Sequence, residues 1–227
     1  MEARAPQSGA GPEAAPGDPA VEDALSPRRV LSSDTVYTGR IWDVRSDAFE
    51  LADGTGVLQR DYIEHPGAVA ILPMDSDGRV LMLRQYRHPV GMDLWEIPAG
   101  LLDVHGESNL DAAARELAEE ADLVASDWHV LTDFFTSPGS SSEAIRIYLA
   151  RGLREVPHED RHERTDEEAE IRFAWVDLEE GVRAVLAGRL HNPSAVVALL
   201  AADAARRTGF ESLRPGETPW PAHPAQR

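Results

Sequence analysis

The sequence predicts a mixed α/β sandwich preceded by a small antiparallel β subdomain, and three observations predict it. Short apolar runs bounded by turn signals lie on both sides of one acidic helical segment, ARELAEEADL, residues 114–123. The other two helical patterns come last in the chain. No glycine-rich loop of the Rossmann or P-loop type follows a strand, which argues against a doubly wound sheet.

The elements follow in order. Residues 1–28 are rich in Ala, Pro, Gly and acid, with few bulky apolar side chains, and read as a disordered tail. Residues 36–44 and 48–51 read as strands, and DGTG at 53–56 as a hairpin turn toward a strand at 57–63. These form the N-terminal β subdomain, residues 29–64. A larger unit spans 65–208. It opens with a buried strand at 68–72, a DSDG turn, a strand at 80–86 and a short strand at 95–97 that stops at Pro98. The acidic helix is expected over 109–121, with Ser108 and Asp111 as a loose capping box. Strands at 130–135, 145–150 and 173–176 precede helices at 178–187 and 194–206, the last starting after an Asn-Pro break. Residues 209–227 are Pro-rich and are expected to be a flexible tail.

The 227 residues, 42% of them hydrophobic, suffice for one sizeable core. A formal net charge of -18 argues against nucleic acid or an anionic membrane as partner. An anionic substrate would then require a mediating divalent cation. With no cysteine, disulfides, thiolate catalysis and cysteine–zinc sites are excluded. No apolar run approaches the ~20 residues of a membrane span, and no signal pattern opens the chain. A cytoplasmic location is the expectation.

The acidic helix poses a physical problem. Glu116, Glu119 and Glu120 crowd one side, and like charges at these spacings weaken a helix by a few tenths of a kcal/mol per pair. On a helical projection Leu110, Ala114, Leu117 and Ala121 form the core stripe, and the three acids lie directly beside it. Arg115 stands on the far edge, within reach of Glu119. Many charged helices are simply solvated faces. Here the acids are clustered rather than alternated with Lys, and a Pro-Ala-Gly turn precedes them. Carboxylate and carbonyl oxygens together suit Mg²⁺ or Mn²⁺.

GLLDVHGESNLDAAARELAEEADL, residues 100–123, resembles the box of the Nudix hydrolases. That pattern is Gly, five residues, Glu, seven residues, Arg-Glu-apolar, one residue, Glu-Glu, one residue, Gly, apolar. Glu107, Arg115, Glu116, Leu117, Glu119, Glu120 and Leu123 match. Two positions depart from it: the first loop is one residue longer, and Asp122 replaces the final Gly. Asp tolerates a left-handed helix end, though less readily than Gly. The resemblance implies a Nudix-fold α/β/α sandwich that hydrolyses nucleoside diphosphate derivatives with Mg²⁺ or Mn²⁺. It implies Glu116 and Glu120 as the main metal ligands, with Glu119 and the Ala99 carbonyl completing the set. Arg115 and Glu107 would hold the acids in place.

Further pieces resemble the ADP-ribose pyrophosphatase branch. Pro138, in FFTSPGSSSE, falls fifteen residues beyond the box. Glu143 then corresponds to an acid near the terminal ribose or a metal. RQYRHP, residues 84–89, resembles a strand end that supplies arginine to phosphate: Arg87 first, then Arg84. Arg60 is a candidate that reaches substrate across a dimer interface. The acidic loop DEEAEI, residues 166–171, matches the place of a Glu that activates water or joins a metal, Glu167 best and Glu168 next. Trp42 reads first as a core-packing residue and second as a candidate for stacking on adenine. The branch implies a homodimer that exchanges the N-terminal subdomain, and cleavage of ADP-ribose to AMP and ribose 5-phosphate. Two alternatives stay open. One is another substrate, such as a nucleotide sugar, NADH or an oxidised nucleotide. The other is a non-catalytic Nudix module that senses ADP-ribose.

Overall fold

The computed structural model describes residues 21–51, 54, 56–162 and 171–226. Strands β1 (Val30–Thr38), β2 (Asp43–Glu50) and β3 (Val57–Glu64) form an antiparallel sheet in that order. The strand expected over 36–44 is two strands. The chain reverses at 39–42, where the Gly39 N–H donates to the Trp42 carbonyl at 3.1 Å and to Asp43 Oδ1 at 3.2 Å. A Cβ at Gly39 would sit 2.3 Å from that carbonyl, so the turn requires glycine. Ile41 and Trp42 read as strand residues because they are apolar, yet they belong to the exposed turn.

The main body follows as β4 (Ala68–Pro73), β5 (Arg79–Arg87), β6 (Met92–Glu96), β7 (Ala99–Leu101), α1 (Asn109–Ala121), β8 (Leu123–Val124), β9 (Asp127–Phe135), β10 (Ala144–Arg151), β11 (Arg154–Glu155), β12 (Arg172–Asp177), α2 (Leu178–Leu186), α3 (Pro193–Arg206) and β13 (Arg214–Pro215). A mixed sheet has the order β13-β9-β10-β4-β7, in which β10 and β4 run parallel. An antiparallel sheet, β12-β5-β6, and the short β11-β8 pair complete the strands.

Period-2 alternation divides the interior into two cores. Ala68, Ala70 and Leu72 of β4, with Ile145, Ile147 and Leu149 of β10, pack on one face with Leu178 of α2 and Ala195, Ala198, Leu199 and Ala202 of α3. Val69 and Ile71, with Tyr148 and Ala150, pack on the other face with Ala112, Ala113 and Leu117 of α1. Burial on both faces explains why β4 reads as a continuous apolar run. The fold is therefore a three-layer α/β/α sandwich, as expected. Among the described residues, no helix is long and apolar enough to cross a membrane.

The C-terminal segment corrects the sequence reading. It was expected to be loose, yet Arg214 of β13 pairs with Val130, and Trp220 and His223 are 7% and 1% exposed. The cause is Arg146, buried on β10 at 1% exposure. Burial opposes its charge, but Asp133 outweighs that penalty and holds its pKa above the usual value. Its Nε and Nη2 donate to Asp133 at 2.7 and 3.1 Å, and Nη1 donates to the Thr218 carbonyl at 2.5 Å. Trp220 covers the guanidinium at 5.0 Å. A buried arginine needs these partners, so the Pro-rich segment is drawn onto the sheet. His223 also closes over Gly67, whose φ is +93° and whose Cβ would lie 2.2 Å from His223 Nε2. Trp220→Ala should lower unfolding free energy by about 3 kcal/mol in chemical denaturation, the usual cost of emptying a buried aromatic site. A loose tail would leave the midpoint unchanged.

Candidate active site

Helix α1 begins at Ser108, whose hydroxyl accepts the Asp111 N–H at 3.1 Å, as the capping reading anticipates. It ends at Asp122 in the left-handed conformation, φ 54° and ψ 33°. The replacement of glycine therefore keeps the turn, with the Asp122 N–H donating to the Ala118 carbonyl at 3.2 Å. The buried face is rotated from the expected stripe. Ala112, Ala113 and Leu117 are fully buried, whereas Leu110, Ala114 and Ala121 are only partly so. Glu116 and Glu120 lie three and seven residues beyond Ala113, so they continue its face inward. Small alanines at 112 and 113 allow this close seating on the sheet.

Glu116 rests on β7. A Cβ on Gly100 would lie 1.9 Å from Glu116 Cδ, so only glycine admits the carboxylate there. Burial pushes the Glu116 pKa up, with Arg115 opposing the shift. The Arg115 guanidinium ties the cluster together. Its Nε and Nη2 donate to the two oxygens of Glu107, both at 3.0 Å. Its Nη1 donates to Glu116 Oε1 at 2.6 Å and Glu119 Oε2 at 3.1 Å. Glu107 is the foremost of the partners that hold the Arg115 pKa above its usual value. Glu120 Oε2 accepts the Ala99 N–H at 2.9 Å. The structure thus brings Ala99, Gly100, Glu107, Glu116, Glu119 and Glu120 together, as the sequence implies. Among the described residues, no three Asp, Glu or His side chains form a ready cation cage, because Arg115 bridges the acids instead. The chemistry still fits a divalent cation: three carboxylates share one guanidinium, and one of them is partly desolvated.

The remaining candidates are dispersed. Arg87 makes a bidentate pair with Glu96, Nε to Oε1 at 2.8 Å and Nη2 to Oε2 at 2.7 Å. Glu96 is 2% exposed, and it lies three residues before Ala99. Sequence reasoning missed it; a lone acid inside the apolar run LWEIP was the available signal. Arg84 reaches Asp93 at 3.2 Å and Arg60 the Gln59 carbonyl at 2.8 Å, both on exposed strand faces. Glu143 stands at the start of β10, at the end of the sheet where β4 begins, and its Oε2 accepts the Thr136 hydroxyl at 2.6 Å. Trp42 leaves the core, 40% exposed on the β1–β2 turn beside Tyr37. Glu167 and Glu168 lie outside the described residues.

An acid-bearing helix seated on a glycine strand inside an α/β/α sandwich defines the Nudix class of site. The chain belongs to that family: the NUDIX domain model matches residues 64–197. An ADP-ribose pyrophosphatase of Mycobacterium tuberculosis is 47% identical over 190 residues, 84% of this chain and 89% of that protein. A methanol dehydrogenase activator of Bacillus methanolicus is 30% identical over 175 residues, 77% of this chain and 92% of that one. The solved structure of an ADP compounds hydrolase aligns with a TM-score of 0.65 at 24% identity, over 83% of this chain and 99% of that one, and shares the fold.

Gly100→Ala should displace the Glu116 carboxylate while leaving circular dichroism native. Hydrolytic turnover should fall about 100-fold, as expected when a site group is misplaced by an ångström or so. An unimpaired variant would refute the close-seating argument.

Proposed function

We propose that the protein hydrolyses the pyrophosphate of ADP-ribose, giving AMP and ribose 5-phosphate. The observation that carries this reading is the acid cluster of α1 seated on Gly100, with every box carboxylate retained. The 47% identical ADP-ribose pyrophosphatase supports the substrate. Retention of the carboxylates favours an enzyme over a sensor.

Glu116, Glu119, Glu120 and the Ala99 carbonyl would hold Mg²⁺ or Mn²⁺. When bound, such an ion neutralises pyrophosphate charge and lowers the pKa of water. Arg115 and Glu107 orient the acids. Arg87, braced by Glu96, presents a fixed guanidinium to phosphate oxygens, with Arg84 and Arg60 as further contacts. Glu143 faces the terminal ribose, and Trp42 is the candidate stacking partner for adenine. Glu167, or else Glu168, takes the proton from the attacking water. The units 29–64 and 65–208 act as dimerisation and catalytic parts of a cytoplasmic homodimer. Exposed Val30, Leu31, Val36, Tyr37 and Ile41 on and beside β1 support that dimer.

Glu120→Gln should remove most Mg²⁺-dependent release of AMP while the fold persists. Glu167→Gln and Glu168→Gln, assayed separately, should differ, with the true base losing at least about 100-fold in kcat. A panel of ADP-ribose, NADH, nucleotide sugars and 8-oxo-dGTP should give the highest kcat/KM for ADP-ribose. A higher value for any other member would overturn the substrate.

A further inference from the structure

The loop that carries Glu143 is stitched to the end of β3 by contacts that span most of the intervening chain. The Ile63 N–H donates to the Ser140 carbonyl and the Ser142 N–H to the Ile63 carbonyl, both at 2.9 Å. The His65 N–H donates to the Ser142 hydroxyl at 2.9 Å. This is a short parallel bridge between Ile63 and Ser141, outside the named strands. Within the loop, the Glu143 N–H donates to Ser141 Oγ at 3.1 Å. The β subdomain therefore meets the loop directly at the residues that precede Glu143.

The His65 ring completes the joint. Its Nδ1 accepts the Gly67 N–H at 3.1 Å, so in the neutral ring the proton belongs on Nε2. Nε2 lies 3.7 Å from Glu143 Oε1, with the His65 side chain 10% exposed. That separation exceeds a direct hydrogen bond, so a bond between them requires the two side chains to approach further. The other Glu143 oxygen is already held by Thr136. Thr136 holds one oxygen of this carboxylate, which is still 30% exposed, and the His65 ring faces the other.

We propose that His65, which immediately follows β3, is a positioning residue for Glu143, so that the junction between the β subdomain and the main body sets the substrate-side acid. The inference rests on the reading of Glu143 as a ribose-facing group. Two substitutions separate its two ring nitrogens. His65→Asn retains an acceptor for the Gly67 N–H but cannot reach Glu143. His65→Gln retains a donor toward Glu143 but loses the Gly67 acceptor.

The test measures kcat and KM for ADP-ribose with Mg²⁺ in H65N, H65Q, E143Q and H65N/E143Q. The imidazole ¹⁵N shifts of His65 are recorded with and without E143Q. His65→Asn should raise KM about tenfold, the loss of one hydrogen bond to a charged group, with a smaller change in kcat. H65Q should recover most of it, H65N should add nothing to E143Q, and E143Q should move the Nε2 resonance. If H65Q is impaired and H65N is not, His65 serves only Gly67 and the proposal fails. If E143Q is impaired and H65N is not, positioning fails while the reading of Glu143 stands. If E143Q turns over ADP-ribose like the wild type, the reading of Glu143 fails and the proposal falls with it. A still Nε2 resonance overturns the pairing whatever the substrate.

Discussion

The site depends on one close approach, that of the Glu116 carboxylate to the backbone of Gly100. A helix can gather three acids on one side only if something offsets their repulsion. Here Arg115 meets Glu107, Glu116 and Glu119 at once, and one guanidinium cannot neutralise three carboxylates. Because Gly100 has no side chain, Glu116 lies inward and loses solvent, which raises its affinity for a proton. The same loss of solvent would raise its affinity for a cation. Ala112, Ala113 and Leu117 bring the helix close to the sheet, so the packing of the core and the strength of the site share one cause.

Charge on the larger scale follows the same logic. A chain with net charge -18 repels an anionic substrate unless positive charge is delivered locally. Arg87 is paired with the buried Glu96, which offsets its charge, so a divalent ion between the carboxylates would have to supply most of the positive charge. The N-terminal sheet is more than an attachment to this centre. Ile63 of its last strand and His65 just beyond that strand bond to the loop that carries Glu143.

Much of this was legible in the sequence wherever local chemistry decides. The bounds of α1, its Ser108 cap and the left-handed end at Asp122 follow from residue type and spacing. The grouping of the acids with Arg115 was legible because a spaced pattern links them, and the structure places them side by side. Three features were hidden. The inward face of α1 was placed one position off, because alanine at 112 and 113 carries little hydrophobic signal although its size decides the packing. The reversal at 39–42 was masked by apolar Ile41 and Trp42. The order of the C-terminal segment depends on Arg146, which is distant in sequence and looks like one more charged strand residue. Long-range partners of a buried charge leave no local trace.

The most direct test of the account is the position of a bound cation. Crystals grown with Mn²⁺ and measured at an anomalous wavelength should show a difference peak bounded by Glu116, Glu120 and the Ala99 carbonyl, and the peak should vanish in Glu120→Gln. A peak away from these groups, or one that survives the substitution unchanged, would contradict it.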